Sequence, residues 1–257
     1  MTPLEGQDRL LRIIKEVAAG NYSNEILELT GPEYPPEIQE LAEAVGLMMV
    51  KIEAREFHLE QLYEKIKTNT LNTVTSVVGA LGARDAYSEG HGERVGIYAE
   101  RLARRLELTD QEVERIRIAG ILHDIGKIGF SDRVFSNEDT HINEDMLLEI
   151  RSHPQWGYDI LKNLEFLGPA LDYVYGHHER MDGQGYPRGL AGPDIPLGAR
   201  IIAVADCFDA MTTNRPYQDG KTPQDTLEIL GRLAGTALDP DLVDVFIDEI
   251  QAGGMAE

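Results

Sequence analysis

Cys207 is the only cysteine among 257 residues, which excludes an intramolecular disulfide and fits a reducing compartment. No stretch approaches the roughly 18 uninterrupted apolar residues that a membrane span needs. The opening MTPLEGQDRLLRIIKE lacks the basic-then-apolar order of an export signal, so the expected location is the cytoplasm. Basic residues are few: 24 Lys and Arg stand against 45 Asp and Glu, a formal net charge of −21. A surface this acidic repels polyanions and argues against binding polymeric nucleic acid or an anionic membrane. A small phosphate ligand stays compatible, provided that something cationic sits in its pocket. Strand-like alternation is scarce, and internal repeats and low-complexity tracts are missing. The chain is 42% apolar with apolar stripes at helical spacing, so the expected fold class is all-α.

Residues 1–70 read as one helical region. A first helix from about Asp8 to Ala19 stops at Gly20-Asn21, and a second starts near Pro36 after a loop around Thr30-Gly31-Pro32. On the second helix Val45, Met48, Ile52, Leu59, Leu62 and Ile66 repeat with a/d spacing, with Arg55 interrupting one core position. Two readings fit: an amphipathic helix packed on its own domain, or a parallel coiled coil that makes the protein a homodimer. The first helix, the VAAGNYS turn and the PPEIQELAEAV entry resemble a HAMP-like module, which implies a dimeric element that relays a signal.

Residues 71–257 differ in chemistry. Five of the seven histidines fall here in suggestive places: His91, His123, His153, His177 and His178, with Asp124 and Asp206 among the nearby carboxylates. Helical spacing turns His123 inward, seven after Ile116 and four after Ala119, and His91 faces the same stripe as Val95 and Tyr98. Asp206 sits four after Ile202 on an apolar helix, where an unpartnered charge would be costly. Any one of these residues alone would read as a hydrogen-bonded core residue. Together, imidazoles and carboxylates suit first-row metals such as iron, manganese, zinc or cobalt, and this many ligands could serve a two-metal hydrolytic site.

The strings LHDIGKIG (122–129), HP (153–154), HHERMDGQGYPRGL (177–190), IPLGARIIAVADCFDAMTTNRPY (195–217) and DP (239–240) resemble, block for block, the HD-GYP branch of the HD phosphohydrolases. The resemblance implies an HD-type helical domain with two divalent metals, iron or manganese. One metal would be held by His91, His123, Asp124 and Asp206, the other by His153, His177 and His178, with Asp124 as a bridge. Water activated by the metal pair would be the nucleophile, and Lys127 would neutralise the reacting phosphate. Gly185, Tyr186 and Pro187 would line the substrate groove, Tyr186 packing on a base or ribose, and Arg215 would hold a substrate phosphate. Glycines 183, 185 and 189 are expected to supply left-handed turns there.

The implied reaction is hydrolysis of cyclic di-GMP to the linear dinucleotide or to GMP. The alternatives are 3′,3′-cyclic GMP-AMP as substrate, or a catalytically silent module that binds nucleotide or partner proteins. Two positions depart from the pattern. Tyr87 stands where some members place a glutamate for a third metal, with Glu89 nearby. Gln218 replaces a basic residue after the RPY motif. His58 and His141 match no ligand block, and Cys207 reads as a small core residue. Asp209 could hold a ligand in place, while Arg94 and Glu179 read as salt-bridge partners.

Overall fold

A computed structural model describes residues 3–84, 90–135, 143–214 and 219–252. Among them are eleven α-helices: α1 (Pro3–Ala18), α2 (Glu25–Glu28), α3 (Pro36–Arg84), α4 (His91–Arg105), α5 (Asp110–Leu122), α6 (Asp132–Phe135), α7 (Glu144–Leu161), α8 (Ala170–Gly176), α9 (Leu197–Thr212), α10 (Pro223–Leu233) and α11 (Pro240–Ala252). No strand occurs among the described residues; one isolated bridge joins Ala234 and Leu238. The fold is all-α. No helix of the described residues is long and apolar enough to cross a membrane.

The chain forms two compact units, Met1–Thr70 and Leu71–Glu257, and α3 contributes to both. In the first unit, Leu10, Ile13 and Val17 of α1 meet Ile26, Leu29 and Tyr34 and the stripe Ile38, Ala42 and Met49 of α3, with Val45 partly buried beside them. The loop before α3 contains the short helix α2, which the expected loop passed over. Along α3 the core-facing methionine is Met49, whereas Met48 is exposed together with Leu59, Leu62 and Ile66. A stripe at 38, 42, 45 and 49 faces the unit's own core; further along the helix, Leu59, Leu62 and Ile66 stay exposed among the described residues.

The second unit is built on α4, α5, α8 and α9, with α7 against α8 and residues 125–129, and α10 and α11 against α9. Its core runs through Val95, Leu102, Ile116, Leu122, Ile201, Ile202, Phe208 and Phe246. Thr109 and Glu112 form a capping box that starts α5. Helices α4 and α5 approach until a Cβ on Gly120 would lie 2.9 Å from the Cα of Gly96. Side chains at either position would hold the helices apart, and with them His91 and His123.

Candidate metal centre

Three of the candidate histidines sit where a helix leaves a carbonyl without its usual donor. Helix α5 ends at Leu122, so Gly120 is in the last turn, and His123 Nδ1 donates to its carbonyl at 2.7 Å. Helix α8 ends at Gly176, and His177 Nδ1 donates to the carbonyl of Val174 at 2.6 Å. His153 lies inside α7 but precedes Pro154. Proline has no N–H, so the carbonyl four residues earlier, Ile150, is released, and His153 Nδ1 takes it at 2.6 Å. His91 opens α4, where backbone N–H groups rather than carbonyls are free. Its Nδ1 pairs instead with the Asp209 carboxylate at 2.7 Å. Arg94 holds that carboxylate in turn at 2.7 and 3.0 Å, and Thr213 lies 3.3 Å from it. Asp209 thus orients a candidate ligand, and Arg94 is a salt-bridge partner.

A carbonyl only accepts, so each Nδ1 bonded to one carries the proton, and the opposite Nε2 of the neutral ring presents a lone pair. Those lone pairs converge. His153 Nε2 and His177 Nε2 are 3.3 Å apart, and His123 Nε2 is buried with no hydrogen-bond partner. Asp124 lies between the histidines: Oδ1 is 3.4 Å from His153 Nε2, while Oδ2 is 3.3 Å from His123 Nε2 and 3.7 Å from His91 Nε2. Asp206 Oδ1 is 3.2 Å from His91 Nε2 and 3.9 Å from His123 Nε2. Two donor groups result, His153 with His177 and His178, and His91 with His123 and Asp124; within each group the potential ligand atoms lie within 4.8 Å of one another. Lone pairs facing lone pairs repel unless a cation sits among them. Nitrogens 3.3 Å apart match two ligands at roughly 2.1 Å from one ion. The donor set fits first-row transition metals.

The electrostatics agree for His153, His177 and His178. Burial and the neighbouring imidazoles hold the pKa of His177 well below the usual histidine range. Burial also lowers His153, against Asp124, and with His153 it lowers His178 to about 4. These rings are neutral, as ligands must be. Burial opposes protonation of His91, but Asp206 and Asp209 on its two nitrogens outweigh it and lift its pKa to about 9. Asp124 is buried and Asp206 half-buried, which alone would raise them; His123 and Lys127 beside Asp124, and the His91 hydrogen bond to Asp206, hold both well below the usual carboxylate range. Lys127 Nζ lies 2.6 Å from Asp124 Oδ2, at the edge of the cluster.

The position of residues 125–129 depends on Gly126. A Cβ there would lie 1.9 Å from the carbonyl oxygen of His153 and 2.7 Å from the Gly157 nitrogen. Only glycine lets the turn after His123-Asp124 rest on α7. The loop at 183–190 is tied to the cluster in two ways. Tyr186 stacks on the His178 ring, with centroids 4.8 Å apart. The buried carboxylate of Glu179 accepts the backbone N–H of Arg188 at 2.7 Å and of Leu190 at 2.9 Å. Glu179 therefore binds backbone, where a salt bridge was expected. Gly183 and Gly189 have the expected left-handed backbone, φ +74° and +68°. Gly185 does not; a Cβ there would lie 2.5 Å from both the Arg180 nitrogen and the Glu179 Cα. It is needed for close approach. Pro187 follows Tyr186 through a cis peptide. Arg215 and Gln218 lie outside the described residues, as do Tyr87, Glu89 and His141. His58 is exposed on α3 and Cys207 lies against the core, its thiol pushed up to about 11 by burial.

The HD-domain family model matches residues 76–242, a span that includes both donor groups. The chain belongs to the HD-domain family. Its HD domain is similar to that of a protein of Thermotoga maritima named cyclic di-GMP phosphodiesterase, 35% identical over 197 residues that cover 74% of this chain and 53% of the relative. It is also similar to a protein of Vibrio cholerae serotype O1 named 3′3′-cGAMP-specific phosphodiesterase 3, 31% identical over 228 residues that cover 84% of this chain and 49% of the relative. The chain spans about half the length of the curated relatives it matches. Among solved structures, a cyclic GMP-AMP-specific phosphodiesterase of V. cholerae shares the HD fold, with a TM-score of 0.55 at 20% identity, over 69% of this chain and 48% of that one.

Proposed function

We propose that this HD domain is a metal-dependent phosphodiesterase that hydrolyses a 3′–5′ phosphodiester of a cyclic dinucleotide, with cyclic di-GMP as the substrate. The observation that carries this reading is the convergence of histidine Nε2 atoms on both oxygens of Asp124. Two divalent ions, iron or manganese, fit the donor groups. His91, His123, Asp124 and Asp206 would hold one, and His153, His177 and His178 the other, with Asp124 shared. Metals at such a site acidify a water and neutralise phosphate oxygens. In the net reaction the water oxygen bonds to phosphorus, the P–O3′ bond breaks, and a proton ends on the 3′ oxygen. This gives a linear dinucleotide, which a second hydrolysis would convert to GMP.

The chain's own residues would do the rest. Asp209 and the three released carbonyls hold the imidazole tautomers, so the donor atoms stay in place through turnover. Lys127 sets a positive charge beside the reacting phosphate. Gly185, Tyr186 and Pro187 form the substrate wall next to His178, and Arg215 would grip a phosphate. A relative named for 3′3′-cGAMP at 31% identity favours cyclic GMP-AMP as the second reading of the substrate.

The N-terminal unit is read as a dimerisation and relay element, with Leu59, Leu62 and Ile66 meeting their counterparts in a second copy. The proposed location is the cytoplasm. The test is metal analysis of the purified protein together with hydrolysis of cyclic di-GMP and cyclic GMP-AMP in Mn²⁺ or Fe²⁺. About two metals per chain with turnover of cyclic di-GMP supports the reading; metal-loaded protein that cleaves neither substrate overturns it.

A further inference from the structure

Two arginines, Arg151 and Arg188, lie in segments that carry candidate ligands, two residues before His153 and two after Tyr186. Arg94, Arg101, Arg104, Arg117, Arg180 and Arg200 each pair with a carboxylate. Arg151 and Arg188 are exposed, and among the described residues neither guanidinium has a carboxylate partner. Each instead rests on a tyrosine. The Arg151 guanidinium carbon is 5.9 Å from the centre of the Tyr186 ring, and that of Arg188 is 5.0 Å from the centre of the Tyr175 ring.

The two pairs belong to one arrangement. Arg151 and Gln155 lie four apart on α7 and so share a helix face. Tyr175 donates its hydroxyl to Gln155 Oε1 at 2.6 Å. Arg188 follows Tyr186 by two residues in the loop that Glu179 ties down. Tyr186 closes the series by stacking on His178. Two guanidiniums with N–H donors unclaimed therefore rest on tyrosine faces, one of them the face of the ring that stacks on His178. Stacking holds a guanidinium flat while leaving its edge free for the bidentate hydrogen bonds that an anionic oxygen pair accepts. In a chain with net charge −21, unpaired cations so placed mark where an anion is meant to lie.

We infer that Arg151 and Arg188 bind the second, non-reacting phosphate of the cyclic dinucleotide. This inference rests on the phosphodiesterase reading above and adds to it a reason why the substrate carries two phosphates. A phosphodiester with one phosphate and no base, bis(p-nitrophenyl) phosphate, engages the cluster alone. A cyclic dinucleotide engages both.

The experiment compares metal-loaded full-length wild type with R151A, R188A, the double variant and the Arg→Lys forms. The readout is the ratio of kcat/KM for cyclic di-GMP to kcat/KM for bis(p-nitrophenyl) phosphate, with metal content measured on each sample. Each alanine variant is expected to lower the ratio about tenfold through KM, and lysine to restore part of it. A ratio that stays put, whether both rates hold or both fall together, overturns the inference; so does a loss that follows metal content. Calorimetric binding of cyclic di-GMP separates this inference from the reading beneath it. If the wild type cleaves neither substrate, the phosphodiesterase reading fails. Affinity about tenfold weaker in each variant then still supports the arginine site, and no binding, or equal binding by the double variant, overturns it.

Discussion

The two units of this chain invert each other. In the second unit polar side chains are inside: His91, His123, Asp124, His153, His177, Glu179 and Asp209 are all buried. In the first, large apolar side chains are outside: Met48, Phe57, Leu59, Leu62, Tyr63 and Ile66 are all exposed along α3. Each departure from the usual distribution costs free energy on its own terms. The buried polar groups of the cluster find partners within the chain, through released carbonyls, Asp209 and each other, while His123 Nε2 has no hydrogen-bond partner. The apolar residues on α3 stay exposed among the described residues. The contrast sets donor groups that could hold an ion apart from an apolar helix face that stays exposed.

The largest effect expected on this contrast is at Asp124, which touches both donor groups. D124A and H123A should each lower turnover by at least about a thousandfold and reduce bound metal. Hydrolysis at wild-type rate by either variant, with metal measured by mass spectrometry, would remove the metal reading. Stripping metal with a chelator should abolish turnover, and Mn²⁺ or Fe²⁺ should restore it. G126A drives a methyl into the His153 carbonyl and should destabilise the second unit by about 3 kcal/mol, the upper end for overpacking; a thermal melt that matches wild type would show that the turn can shift. D209N keeps the fold but weakens the hold on His91, so metal affinity should fall about 10- to 100-fold, readable by competition with a chromogenic chelator. Smallest in chemistry is L59E/L62E, which should leave the helical circular dichroism signal in place and convert a dimer to a monomer by light scattering. A dimer that persists would move the interface off α3.

Much of the metal-type cluster was legible because each donor carries a local signature. His123 could be turned inward by counting back to Ala119 and Ile116, and Asp206 was conspicuous on an apolar helix. The all-α class followed from the same periodicity. Asp209 was within reach of sequence because it lies three residues after Asp206. What stayed hidden depends on approaches between distant segments. Glu179 looked like an ion-pair partner, but its partners are backbone N–H groups nine and eleven residues on, and backbone carries no sequence label. Gly185 looked like a turn residue and is a contact residue instead. Arg151 and Arg188 attracted no notice, since an arginine without a carboxylate cannot be told from a paired one until the pairs are seen. On α3, Met48 and Met49 are chemically identical, and only the packing of α1 selects Met49.

Pro154 shows how a residue with nothing to donate can shape a hydrogen-bond network by subtraction. By withholding one N–H inside α7 it hands the Ile150 carbonyl to its neighbour's ring, which is what a helix end does for His123 and His177. Anyone transplanting this centre into another helical scaffold would have to carry the interruptions along with the ligands. Histidines grafted onto an unbroken helix would find every carbonyl already taken, and their rings would be free to spin.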